Sequence, residues 1–329
     1  MDTAILPKIE LHLHLDCSVS YKVAKRFRPE LTPEQFRNEF IAPDKCADLV
    51  DYINRAVKGF EIMQTREQLR AVTLDVIDQL KADNVLYAEI RFAPLLHIAG
   101  GLTPVEVVET VDQAVAEGMA ATGVEARLIL CTLRHYTEQQ SMETVELVHR
   151  FKGTRVVGFD IAADEAGFPI DAHIKAFQWA KAMGLHCTAH AGEAKGAESV
   201  WETLEHFHPT RIGHGVRSAE DPALLQHLKK NDIHLEVCPT SNIQVNVFDK
   251  IENHPADKIY KAGVSMSINC DARTVSHVTL TSEYALMERQ FHWTKQHLLH
   301  CNLEAIRHCF AEEEMKYVLE KKIREGFAD

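Results

Sequence analysis

The sequence has no Cys-x-x-Cys pair, no apolar run of membrane-spanning length, no low-complexity tract and no surplus of positive charge. Each absence narrows the class. The eight cysteines are scattered at 17, 46, 131, 187, 238, 270, 301 and 309. Several sit in apolar strand-like runs, where a free thiol acts as a small hydrophobe. That usage predicts a reduced compartment. A membrane-spanning helix needs roughly 20 consecutive apolar residues, and no stretch supplies them. The net charge of −12 leaves the chain without the basic patch that nucleic acid or an anionic membrane requires. The opening Met1-Asp-Thr-Ala-Ile-Leu-Pro7 has neither the basic start nor the long apolar run of a signal peptide. A soluble, cytoplasmic protein with no nucleic-acid or membrane partner is expected. There is also no Pro/Gly/Ser linker, composition break or internal repeat. The 329 residues, 46% of them hydrophobic, therefore predict one domain over 1–329 with a sizeable core.

What is there begins with Glu10-Leu-His-Leu-His-Leu-Asp16. In an extended strand, alternate side chains share a face. His12 and His14 then point the same way, beside Glu10 and Asp16, and the three leucines point into apolar packing. Two imidazoles so placed can share a metal ion. A helical excursion follows, about 20–82. Thr32-Pro33 and Thr65-Arg-Glu-Gln68 give its helix starts. It is too long for a plain connection and reads as a lid over the end of the first strand.

Beyond it, apolar runs alternate with helical periodicity. Strands are expected at 85–92, 126–131, 156–161, 186–190, 211–215, 234–238 and 265–270, with helices between them. One of these starts at Thr103 and is expected to end near Gly118. Helices fill about 281–326. Eight strands separated by helices imply a parallel sheet. With no switch in strand order, the α/β fold expected is a closed (β/α)₈ TIM barrel, with the helical lid inserted after its first strand.

Active sites of such barrels lie at the carboxyl ends of the strands. There the sequence places His12, His14 and Asp16, then Asp160 with Asp164-Glu165, then His190-Ala-Gly-Glu193, His214 between two glycines, Cys238-Pro-Thr-Ser-Asn242, and Asp271. Titratable groups are costly at buried strand ends unless partnered. Three imidazoles and a carboxylate suit a divalent transition metal such as Zn, Fe or Ni. His12, His14, His190 and Asp271 are the expected ligands, leaving a position open for water. Glu193 turns over the mouth and is placed for proton transfer. His214 is a second proton carrier, or alternatively a ligand. Bland readings stand beside these. Asp164-Glu165 is read as a cap of the next helix and Glu283 as a solvated helix face. His97, His135, His173, His186 and His277 are read as structural or solvated, and the three tryptophans as packing.

These motifs carry a resemblance. Pro7-Lys-Ile-Glu-Leu-His-Leu-His-Leu-Asp16, Thr188-Ala-His-Ala-Gly-Glu193, Arg211-Ile-Gly-His-Gly215, Cys238-Pro-Thr-Ser-Asn242 and Ser267-Ile-Asn-Cys-Asp271 resemble, in order, the motifs of the adenosine deaminase family of the amidohydrolase superfamily. The resemblance implies one Zn²⁺ per chain on His12, His14, His190 and Asp271, with Glu193, His214 and Asp271 catalytic. It places His14, Asp16, Ala163, Glu193 and Ala272 around the substrate, with Asp16 on the ribose 5′-hydroxyl. Three positions depart from the family pattern. Cys17 replaces a glycine. Ala272 replaces an Asp that binds purine N7. Ala163 replaces a glycine that meets the purine edge.

The expected reaction is hydrolytic deamination of adenosine or 2′-deoxyadenosine in purine salvage. Glu193 protonates ring N1, and His214 and Asp271 orient the attacking water and accept its proton. Related aminopurines are alternative substrates: adenine, N6-substituted AMP or methylthioadenosine. Asp16 argues against a 5′-phosphate. A non-deaminating amidohydrolase is a rival reading. Its second metal usually needs a carboxylated lysine after the fourth strand, where this chain has Asp160. A non-catalytic zinc protein would have no need of Glu193.

Overall fold

The computed structural model describes residues 1–328. Short runs rich in Val, Ile and Leu, buried on both faces, become the strands of a parallel sheet. In chain order the elements are β1 (Lys8–His14), α1 (Tyr21–Phe27), α2 (Pro33–Phe40), α3 (Leu49–Glu61), α4 (Arg66–Ala82), β2 (Val85–Phe92), α5 (Pro104–Thr122), β3 (Glu125–Leu133), α6 (Glu138–Arg150) and β4 (Val156–Ala162). They continue with α7 (Asp171–Ala182), β5 (His186–Ala191), α8 (Ala197–Phe207), β6 (Arg211–His214), α9 (Pro222–Lys230), β7 (His234–Val237), α10 (Pro239–Gln244), α11 (Ala256–Ala262), β8 (Met266–Ile268), α12 (Leu280–Phe291), α13 (Lys295–His308) and α14 (Glu313–Phe327).

The eight strands pair in sequence order, each parallel to the next. Main-chain bonds close the sheet into a barrel. The His14 amide donates to the Asp271 carbonyl at 2.7 Å, and the Asp271 amide donates to the His12 carbonyl at 2.8 Å. Closure thus brings the first and last motifs of the chain together. The helices α1–α4 form the insertion expected after the first strand. Among the described residues no helix is long and apolar enough to cross a membrane.

Local chemistry sets most helix starts. Thr32, Thr65, Thr103 and Thr137 each accept from the amide three residues on, and the side chain at that position reaches back in a capping box. Two elements differ from the sequence reading. The helix α5 runs through Gly118 and stops at Gly123, which adopts φ +73°. Gly118 instead faces Ile77 of α4, where a Cβ would overlap the isoleucine side chain. A glycine read as a stop is there for close helix packing. The short helix α10 was expected as a strand end; Pro239 at its first position suits a helix start.

Candidate active site

A cavity of about 280 Å³ opens at the carboxyl-terminal mouth of the barrel. His14, Asp16, His190, Glu193, His214 and Asp271 all line it. His12 lies just beneath, fully buried. Strand geometry delivers these groups. His12 and His14 end β1, His190 is on β5, His214 ends β6, and Asp271 follows β8. Two of them hold left-handed backbone, His214 at φ +60° and Asp271 at φ +64°. Such strain costs on the order of 1–3 kcal/mol per residue and clusters at functional sites.

The donor atoms converge. His14 Nε2 is 3.2 Å from His190 Nε2. Asp271 Oδ1 lies 3.6 Å from His12 Nε2 and 3.5 Å from His14 Nε2. His12 Nε2 is buried with no hydrogen-bond partner. Ring nitrogens this close, one of them orphaned, fit a shared cation in their midst. The far sides of the rings are held. His12 Nδ1 bonds Glu236 at 2.8 Å, and His190 Nδ1 bonds Asp160 at 3.2 Å. Carboxylates behind imidazoles fix the tautomer that presents Nε2 to a metal. The two carboxylates are joined by one buried guanidinium, since Arg91 donates to Asp160 at 2.8 Å and to Glu236 at 2.7 Å. Arg211 donates to Glu236 at 2.7 Å and also pairs with Glu89 at 2.6 Å. Burial pushes the Glu236 carboxyl up, but Arg91 and Arg211 outweigh it and hold it well below the usual range.

Glu193 is the contrasting carboxyl. Burial, then the charges of Asp271 and Glu165, push it well above the usual range, with Arg134 opposing. Asp271 moves the other way. Burial raises it, but His12, His214 and His14 hold it well below the usual range. Two carboxyl groups driven apart in one cavity give one acid and one base. Ser241 donates to Asp271 Oδ2 at 2.5 Å. His214 Nε2 lies 3.6 Å from Glu193 Oε1.

The His214 tautomer follows from a chain of bonds. The Ala256 amide donates to His254 Nδ1 at 3.2 Å, so His254 carries its proton on Nε2. That proton goes to Asn242 Oδ1 at 3.1 Å, and the Asn242 amide then donates to His214 Nδ1 at 3.1 Å. His214 is left with its proton on Nε2, facing the cavity.

Asp16 lines the cavity, and burial raises its carboxyl to about 6. Ala163 has φ +77°, a conformation that suits the glycine it replaces. Ala272 packs with Leu49, Tyr52 and Val275, and Cys17 joins that apolar wall. Leu49, Tyr52, Ile53 and Phe60 of α3 form the outer wall of the cavity. Glu10 does not join the site, because its carboxyl accepts from the His12 and Cys270 amides instead.

Some residues the sequence reading passed over. Arg91, Arg211 and Glu236 are charges inside otherwise apolar strands, and that was their available signal. His135, expected to be structural or solvated, lies on the cavity wall just after β3. Glu283 is buried, not solvated, and burial pushes it to about 8. Glu165 does not cap α7, whose start has no side-chain cap. His97 and His173 are structural. His97 Nδ1 bonds the Met63 carbonyl at 3.2 Å, and His173 Nδ1 bonds Ser141 at 3.0 Å.

Such a donor set at the mouth of a (β/α)₈ barrel defines a metal-dependent hydrolase of the amidohydrolase type. A family model for adenosine deaminase matches residues 7–326, and the chain belongs to that family. It is 33% identical over 325 residues to an adenosine deaminase of Clostridium acetobutylicum, covering 97% of both chains. It is 35% identical over 328 residues to one of Enterococcus faecalis, covering 98% of this chain and 97% of that one. Among solved structures, an adenine deaminase from Arthrobacter aurescens superposes with a TM-score of 0.89 at 25% identity, over 97% of this chain and 98% of the other. The N6-methyl-AMP deaminase of Arabidopsis thaliana does so at 0.85 and 26% identity, over 98% and 97%.

Proposed function

We propose that the protein is a zinc-dependent hydrolase that deaminates adenosine and 2′-deoxyadenosine, giving inosine or 2′-deoxyinosine and ammonia. The observation that carries this reading is a buried Glu193, its carboxyl pushed above the usual range, in the same cavity as three imidazoles and the Asp271 carboxylate. His12, His14, His190 and Asp271 would hold the zinc, and the ring spacing and the orphaned His12 Nε2 fit it. When bound there, zinc supplies activation of a water at neutral pH.

This chain's residues do the rest. Glu193 is the acid that protonates purine N1 as water adds to C6. The proton that water gives up passes through Asp271 to the amine, which leaves as ammonia, and the C6 hydroxyl proton returns to Glu193. Such steps contribute about 10²- to 10⁴-fold. Asp271, held as a carboxylate, takes the proton of the attacking water. His214 presents an N–H to the same point, so it orients and stabilises charge there and does not serve as the base. Asp16 accepts from the ribose 5′-hydroxyl. Among the described residues no lysine or arginine lines the cavity. A 5′-phosphate would find no cation and would face the Asp16 carboxylate. That repulsion is worth about 4 kcal/mol at 4 Å near a protein surface.

An ammonia-release screen over adenosine, 2′-deoxyadenosine, adenine, AMP, N6-methyl-AMP and methylthioadenosine tests the assignment. The two nucleosides should have the highest kcat/KM. Preference for adenine or for either nucleotide would overturn the substrate assignment, and no ammonia from any of them would overturn the reaction.

A further inference from the structure

The carboxyl of Glu193 makes no hydrogen bond of its own, and His214 Nε2 lies 3.6 Å away. Its aim is therefore set by the backbone that carries it. That backbone is the loop between β5 and α8, and one side chain from elsewhere in the chain organises it. Glu165, buried just beyond β4, accepts from the Gly192 amide at 2.7 Å through Oε1. Through Oε2 it accepts from the amides of Glu193 at 3.0 Å, Ala194 at 2.6 Å and Lys195 at 2.9 Å. The Ser199 hydroxyl, in the first turn of α8, adds a bond to Oε1 at 2.6 Å. Four successive amides thus converge on one carboxylate, an arrangement suited to an anion. The rest of the loop is fixed as well. Gly192 has φ +65°, and a Cβ there would crowd Val200 and Gly215. Arg217 donates to the Ala194 carbonyl at 3.2 Å, and Arg134 donates to the His190 carbonyl at 2.8 Å.

We propose that Glu165 is a positioning residue for Glu193: its carboxylate gathers the amides of residues 192–195 and so aims the Glu193 carboxyl into the cavity. A carboxylate is required there. Glutamine keeps one acceptor oxygen and turns an NH₂ donor toward amides that are themselves donors. The inference rests on the acid role proposed for Glu193. It adds that this role depends on a residue that touches neither substrate nor metal ligands.

The test is a kinetic double-variant cycle on the zinc-loaded enzyme. Glu165→Gln should lower kcat about 10- to 100-fold, the size expected for a misaimed catalytic group, with KM within about 3-fold. Zinc content should not change. In a Glu193→Gln background the same substitution should lower kcat by less than about 3-fold, because no proton remains to be aimed. Ser199→Ala removes only one of the five donors and serves if Glu165→Gln does not fold. It should lower kcat about 2- to 5-fold, again only while Glu193 is present. An equal loss with and without Glu193 would overturn the proposal and leave Glu165 as general scaffold. Unchanged kcat in both single variants would overturn it too. Full activity in Glu193→Gln alone is a separate result that overturns the acid role itself.

Discussion

The acid role proposed for Glu193 requires a proton on its carboxyl, and burial together with the Asp271 and Glu165 charges pushes it toward that form. Glu193→Gln retains shape but not the transferable proton. All four proposed ligands remain, so zinc content and folding should be unchanged. We expect kcat to fall about 10²- to 10⁴-fold with KM little affected, read by steady-state kinetics and elemental analysis. Loss of zinc would instead make Glu193 a ligand. Ala272 carries a second prediction at this scale. It sits in an apolar wall with Tyr52 and Val275, where the family's Asp would meet purine N7. Ala272 itself offers no side-chain donor to N7, and the Tyr52 hydroxyl and Cys17 thiol are engaged by Ser276 and Asp16, so 7-deazaadenosine should be turned over nearly as well as adenosine. A drop of about 5- to 100-fold or more would reveal another donor, since a buried polar group left unpaired costs about 1–3 kcal/mol.

Among the helices, α3 contributes the inner side that walls the cavity. It is seated through Gly59, where a Cβ would overlap the carbonyl oxygen of Asp16. Main chain cannot step aside as a flexible side chain can, so Gly59→Ala must lift α3. Overpacking of this kind costs about 1–3 kcal/mol, against up to about 1 kcal/mol gained in helix propensity. We expect a lower denaturation midpoint and a raised KM for adenosine, because Asp16 and the α3 wall move together. A variant with unchanged midpoint and KM would show that α3 does not rest on Asp16. Gly118 seats α5 against Ile77 of α4 in the same way. Glycine within a helical pattern is ambiguous until the neighbouring helix is known.

The whole molecule encloses charge. The five groups Glu89, Arg91, Asp160, Arg211 and Glu236 are buried on the barrel strands and joined by ion pairs, and Glu236 and Asp160 back the imidazoles of His12 and His190. Such an interior should depend on its metal. Elemental analysis should return about one zinc per chain, and chelation should lower the melting temperature reversibly. At a hundredfold excess over Kd, bound ligand stabilises by about 2.7 kcal/mol. Two metals per chain, or full activity without any, would end the single-zinc reading. At the N-terminal start of β1, Lys8 is buried and its amine donates to the Leu6 carbonyl at 2.7 Å and the Asp83 carbonyl at 2.9 Å. Burial lowers it to about 8, with the Asp83 charge opposing. The unfolded chain then holds a proton between about pH 8 and 10.5 that the folded chain has released. By linkage, this group's contribution to stability rises across that window. Buried thiols and tyrosines pull the other way, so the readable quantity is the difference from Lys8→Met. Wild type should gain on the variant by on the order of 2–3 kcal/mol from pH 8 to 10.5 in denaturant titrations. A constant difference would remove Lys8 as the cause.

The alternation of apolar runs with helical periodicity by itself determined the barrel, because each strand and each helix announces its own period locally. Threonine caps and prolines fixed the helix starts for the same reason. The motif residues His12, His14, His190, Glu193, His214 and Asp271 were legible because titratable groups at the ends of apolar strands have no local explanation. What the linear sequence withheld is what depends on contact between distant segments. Arg91 had no visible role until β4 and β7 brought Asp160 and Glu236 to it. Glu165 looked like a helix cap until the Gly192–Lys195 amides folded over it. The His214 proton was placed on Nε2 only by a chain running through Asn242 and His254. Orientation, protonation state and tautomer are set by partners across the fold, and only the tertiary structure chose those partners.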